Sequence, residues 1–98
     1  MSTSSPEKKP GLVYVSAGEI PNQYAVIGLV FGFGSNDKPT NAYLLATDSL
    51  KQAALQAGGN SLLHVSFQNR VALGKDCFGQ ATQILEVFAW GTAVVVRL

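Results

Sequence analysis

With 98 residues the chain holds one domain around a single core and has no room for two. Hydrophobic residues make up 47% and charged residues only 13%, roughly half the usual quarter, so much of the surface must be neutral or apolar, and contact between subunits is the ordinary way to hide it. A net charge of +1 gives no reason to expect nucleic acid or an acidic membrane as a partner, and the single cysteine, Cys77, excludes an internal disulfide framework.

Residues 1–10 are Met, Ser, Thr, Pro, Glu and Lys, with nothing to bury. They are expected to form a disordered tail ahead of a single domain over 11–98. No hydrophobic stretch follows their charges, so they do not read as a signal peptide. The longest uncharged apolar run, residues 24–34, is far short of a membrane span. A cytoplasmic protein is the expectation.

Residues 12–16 form a short extended segment suited to a sheet edge, and Gly18, Pro21 and Asn22 mark a turn after it. Residues 24–33 read as the first long strand, apolar on both faces as in a buried position. Gly28 and Gly32 fall on one face with Val26 and Val30, a small-residue face able to receive a helix. A loop over 34–40 leads to a helix over 41–57, with Thr40 or Asn41 as its N-cap. Ala46, Leu50, Ala53 and Ala57 recur at helical spacing, and Gly58 and Gly59 end the helix. Residues 60–70 are the next strand, in which Leu63, Val65 and Phe67 alternate with His64, Ser66 and Gln68. A glycine-bounded turn over 73–79 joins it to the last strand as an antiparallel hairpin.

That last strand, residues 84–97, is the element around which the others are arranged. One face carries Leu85, Val87, Ala89, Gly91, Ala93 and Val95, all apolar, the middle three small. The other carries Ile84, Glu86, Phe88, Trp90, Thr92, Val94 and Val96, which are bulky and still mostly apolar. The small face suits a closely packed helix, with Gly91 leaving room for it. The large face needs a second cover that so short a chain has trouble supplying. The expected architecture is α+β: one helix on a curved, mostly antiparallel sheet in the order β-β-α-β-β.

Candidate chemistry is sparse. His64 and Cys77 are the soft metal ligands available, on a strand and in the hairpin that follows it. A zinc-type site needs three or four ligands, so only symmetry mates could complete one. The preferred reading is that both are structural, His64 as a hydrogen-bonded strand residue and Cys77 as a small turn residue. Catalysis by Cys77 would require His64 as a base and an oriented third group, which adjacency to Lys75 and Asp76 does not provide. Gly28, Gly32 and Gly34 lack the spacing of a dinucleotide fingerprint. Phe88 and Trp90 could stack on a small ligand between subunits or fill a subunit interface, and the interface is the preferred reading. A non-enzymatic oligomeric module is therefore expected ahead of a subunit-interface enzyme; no cofactor is specified.

Ala-Trp-Gly-Thr-Ala-Val-Val-Val over 89–96 resembles the aromatic-Gly-Thr-Ala-Val strand that closes the YbjQ-like family, described as heavy-metal-binding. Glu-Ile-Pro-Asn-Gln-Tyr over 19–24 with Ile-Gly-Leu-Val over 27–30 is similar to that family's turn and first strand. Ala-Gly-Gly-Asn-Ser-Leu-Leu-His over 57–64 is similar to the passage from its helix into its second strand. The resemblance covers roughly residues 18–97. It implies a small dodecin- or YbjQ-like α+β fold assembled as a cyclic homo-oligomer, commonly a pentamer, with metal or a small ligand as a further partner. The family's glycine-glycine-acidic segment before the helix and its charged helix are both replaced here.

Overall fold

The computed structural model describes residues 11–75 and 77–97. The expected tail over 1–10 lies outside the described residues, as do Asp76 and Leu98. The elements run β1 (Tyr14–Val15), β2 (Tyr24–Asn36), α1 (Pro39–Gln56), β3 (Ser61–Lys75) and β4 (Ala81–Val96). They form the expected α+β architecture, one helix on a four-stranded sheet in the order β1-β3-β4-β2. β4 pairs antiparallel with both β2 and β3, so these two run parallel to each other with β4 between them, and β2-α1-β3 is a split crossover. Only the two-residue β1 pairs in parallel, against the start of β3.

α1 starts earlier than its capping signal suggested. Lys38 is the N-cap and makes no side-chain capping bond; Pro39 occupies the first turn, where its missing N–H costs nothing. The buried stripe is Ala42, Ala46, Leu50 and Ala54. Ala46 and Leu50 were expected there, whereas Ala53 is only partly buried and Ala57 is exposed beyond the helix end. That end is closed by two backbone bonds. Gly58 N–H donates to the Leu55 carbonyl and Gly59 N–H to the Ala54 carbonyl, each at 3.0 Å. The pattern needs Gly58 at φ +94°, open to glycine at little cost.

Two bulges decide which face each side chain takes. In β2 the register shifts between Val26 and Gly28, so Val26 pairs with Val94 while Gly28, Val30, Gly32 and Gly34 align with Ala93, Gly91, Ala89 and Val87. Val26 therefore leaves the helix face, contrary to the period-two expectation, and Gly34 joins it from what read as a loop. In β3 a shift between Leu63 and Ser66 puts Leu63 opposite Thr92 and Phe67 opposite Ala89. Leu63 and Phe67 thus lie on opposite faces, where simple alternation put them on one.

The helix face of the sheet carries the main core: Leu62, Val87, Ala89 and Ala93 against Ala42, Ala46, Leu50 and Ala54. A smaller cluster on the other face joins Leu63, Val94 and Val96 to Tyr14, Ile20 and Tyr24. Asn60 ties the two levels together. Its side-chain amide donates to the Val96 carbonyl at 3.2 Å and accepts from Val96 N–H at 2.7 Å, acting as a piece of strand for the end of β4.

The closest helix–sheet approach is at β2. A Cβ added to Gly34 would lie 2.4 Å from Ala46 N and 2.5 Å from Ala42 O; one on Gly32 would lie 2.5 Å from Leu50 N. These are backbone atoms that cannot step aside. Gly91, expected to make room for the helix, instead faces β3, where its added Cβ would meet Leu63 O at 3.2 Å. Gly34→Ala should therefore destabilise the fold by about 2 kcal/mol or more through overpacking, and Gly91→Ala by less. Urea midpoints measure both; a Gly34→Ala midpoint equal to wild type would mean that α1 does not rest on β2.

Candidate functional site

Two features of the sheet's far face, the one α1 does not cover, are candidates for function. The first is apolar. Leu29, Phe31 and Phe33 of β2 align with Thr92, Trp90 and Phe88 of β4, and the β3 neighbours in the same layer are Ser66, Gln68 and Arg70. Leu29 is 59% and Phe31 65% exposed; Phe33 and Phe88 are exposed and Trp90 is half-buried. The Phe33 and Phe88 rings pack at 5.1 Å between centroids, tilted by 55°. The Arg70 guanidinium lies 5.9 Å from the Phe88 centroid and pairs with Glu86. Phe88 and Trp90, singled out in the sequence, thus belong to one patch, and Leu29, Phe31 and Phe33 extend it. Only alignment of β2 on β4 reveals that extension, since nothing in β2 alone says which face the helix takes.

The second feature is polar and joins residues far apart in the chain. The His64 Nε2 and Glu19 Oε2 lie 2.8 Å apart, and the Tyr24 hydroxyl donates to both oxygens of the same carboxylate, at 2.8 and 3.0 Å. His64 sits in the β3 bulge at φ +54°, the left-handed region that a Cβ disfavours and glycine enters freely. The cluster clasps the turn that carries Ile20 over the Leu63–Val94–Val96 cluster. Tyr24 and then His64 hold the Glu19 carboxyl below its usual 4.5, and the bond to Glu19 raises the Tyr24 phenol above its usual 10.0.

The signs of these shifts set a window. A depressed carboxylate contributes stability that is present above 4.5 and lost as pH falls through the lowered value. A raised phenol contributes stability that is present below 10.0 and lost as pH rises through the raised value. The clasp is therefore intact between those limits. Because Tyr24 is the larger cause, Tyr24→Phe should raise the Glu19 titration midpoint, read by carbon NMR, more than His64→Ala does; the reverse order would show that His64 is the dominant partner.

Cys77 is a free, exposed thiol in the β3–β4 turn. His64 stands near the start of β3 and Cys77 beyond its end, upwards of about 30 Å apart at about 3.3 Å per residue, so a single chain does not bring them together. Among the described residues no three His, Cys, Asp or Glu side chains cluster as metal ligands. A recess of about 650 Å³ lined by Asn22, Gln23, Tyr24, Ala25, Val95 and Arg97 lies at the end of the β2–β4 ladder, away from the aromatic patch. No helix is long and apolar enough to cross a membrane among the described residues.

No family model matches the chain, and no curated protein does. Among solved structures it is similar to a protein of unknown function from Pediococcus pentosaceus ATCC 25745 that belongs to the DUF74 family. The TM-score is 0.68 at 19% identity, over 85% of this chain and 96% of that one. The likeness is one of fold, nearly complete on both sides, and it supports the small α+β architecture.

The strain at His64 gives a direct check on why a histidine is there. His64→Ala keeps the left-handed strain and loses the bond to Glu19; His64→Gly loses that bond and the strain together, and the Tyr24–Glu19 bonds remain in both. The glycine variant should be more stable than the alanine variant by about 1 kcal/mol, measured by denaturant unfolding. Equal stabilities would mean that the backbone there is relaxed.

Proposed function

We propose that this protein is a non-enzymatic, self-assembling module that works in the cytoplasm as a closed homo-oligomer, a pentamer in line with the YbjQ-like resemblance. The observation that carries the reading is the far face of the sheet. It places Leu29, Phe31, Phe33, Phe88 and Trp90 side by side at the surface, in a slab 49 × 38 × 18 Å. Among the described residues a helix covers one side and most of the other is left open, an apolar area that water does not favour. Patches of aromatic residues rimmed by a polar pair such as Arg70–Glu86 have the composition of an interface. The own-chain cover supplied by Tyr14, Ile20 and Tyr24 protects only the Leu63–Val94–Val96 end. Copies of the chain are the cover that is always present at the right stoichiometry.

In this reading Phe88 and Trp90 contribute to assembly. Static light scattering at micromolar concentration should give a defined multiple of the 10.3 kDa chain, with five the expected number. Phe31→Asp, at an exposed position that the single chain does not need for its fold, should lower that mass to one chain while leaving the far-UV circular dichroism unchanged. A wild-type mass of one chain would overturn the proposal.

A further inference from the structure

Besides its apolar face, the sheet has two open edges, and they differ. β2 is an outer strand along its whole length. The Phe33 N–H donates to Ser49 Oγ of α1, at 3.2 Å, so it points away from β4. By the two-residue alternation of an antiparallel ladder, the backbone groups of Leu29 and Phe31 point outward with it, since the register is unbroken from Gly28 to Asn36. The second edge belongs to β3. β1 pairs with β3 only at Ser61 and Leu62, and Val65 N–H donates to the Ser16 carbonyl as the last such bond. From Ser66 to Lys75, β3 pairs with β4 alone among the described residues, and this stretch carries Val71, 62% exposed, and Leu73, 83% exposed, past the shelter of α1.

Long edges of this kind, capped at Phe33 alone on β2 and up to Val65 on β3 among the described residues, are templates for another strand. We infer that the β3 edge over 66–75 of one copy pairs with the β2 edge of the next, so that copies join head to tail. The inference rests on the self-assembly reading and specifies which surfaces meet. Three observations select this arrangement over a two-fold one. A symmetric β2–β2 contact leaves both β3 edges open, and a β3–β3 contact leaves both β2 edges open; one head-to-tail contact covers both kinds. β2 and β3 both run opposite to β4, so a neighbour set beside the sheet without inversion presents its β3 parallel to β2 and extends one sheet with the helices on one side.

The side chains flanking the two edges also correspond. Val71 shares the helix face with Phe67 and Asn69, so the joint carries Val71 and Leu73 beneath the flank of the neighbour's α1, where exposed Leu45 leans over Gly34 and Ser49 caps Phe33. On the other face Gln68 and Arg70 come beside the neighbour's Phe31 and Phe33, and Arg70 already lies against a phenyl ring in its own chain. Taking about 200 Å² for a large apolar side chain, Leu29, Phe31, Phe33 and Leu45 together expose on the order of 400 Å², and the edge joint covers the part of it that flanks the neighbour's Gln68, Arg70, Val71 and Leu73. β1 sets the start of the joint by blocking β3 before Ser66.

Head-to-tail joining has a signature that no two-fold contact shares. Leu73→Glu spoils the donor edge and Leu45→Glu the receiving one, both at exposed positions. Each variant alone should run as a single chain by light scattering, with circular dichroism confirming the fold. Mixed in equal amounts they retain one good joint per pair, the arm of the Leu45→Glu chain on the β2 edge of the Leu73→Glu chain, and should form a two-chain species and nothing larger. Leu29→Pro, which removes an outward N–H without touching the β4 ladder, should behave as Leu45→Glu does and repeats the test by a different chemistry. If either acidic variant alone keeps the wild-type mass or forms dimers, or if the mixture stays single-chain, the head-to-tail assignment is wrong and the five-fold ring falls with it, while self-assembly of another symmetry stands. A single-chain wild type removes the self-assembly reading itself.

Discussion

The contact on which the rest depends is the seat of α1 on β2, where the helix backbone comes down onto Gly32 and Gly34 with no space for a Cβ. A helix that close needs small residues on both sides, and Ala42, Ala46 and Ala54 supply them from above. β4 completes the seat with Ala89 and Ala93. Once the small residues of β2 and β4 are committed to that face, the period of the strands throws their bulky partners onto the other. Phe31, Phe33, Phe88 and Trp90 are on the far face because the helix face has no volume for them.

That segregation is what turns a small fold into one with an unfinished side. The chain covers part of the far face itself, through Ile20 and Tyr24, and fastens the covering turn with the Glu19–Tyr24–His64 clasp. The clasp holds a histidine in backbone geometry that glycine would adopt at less cost, a strain that the ring's bond to Glu19 offsets. Beyond the clasp the described residues leave Leu29, Phe31 and Phe33 of β2 exposed. In the assembly proposed above, the boundary between own-chain cover and neighbour's cover falls at the β3 bulge that carries His64.

The order of elements, the alanine helix, the glycine stop and the β3–β4 hairpin were legible in the sequence because each rests on local chemistry: helical spacing, a left-handed Gly58, an unbroken β-branched run. The bulges were not, and they account for most of what moved. A period-two reading carries Val26 to the helix face and keeps Leu63 with Phe67, because one inserted residue leaves no compositional mark. Gly34 read as a loop residue for the same reason, since its value lies in a backbone contact with Ala46. The clasp was invisible because Glu19 and His64 are 45 residues apart, and that separation is bridged by tertiary structure, through the β1–β3 pairing and through Tyr24 on β2. His64 and Cys77, considered together as ligands, stand at opposite ends of one strand, which the length of β3 alone decides.

The most direct measurement is native-state hydrogen exchange at single-residue resolution on the wild-type protein. Among the described residues the outward amides of Leu29 and Phe31 on β2 have no acceptor, whereas that of Phe33 already bonds to Ser49 and so serves as an internal reference. If copies of the chain cover the far face and its edge, the Leu29 and Phe31 amides exchange as slowly as those of β4 at the centre of the sheet. Exchange of both at the rate of an unstructured peptide, with β4 protected, would contradict it.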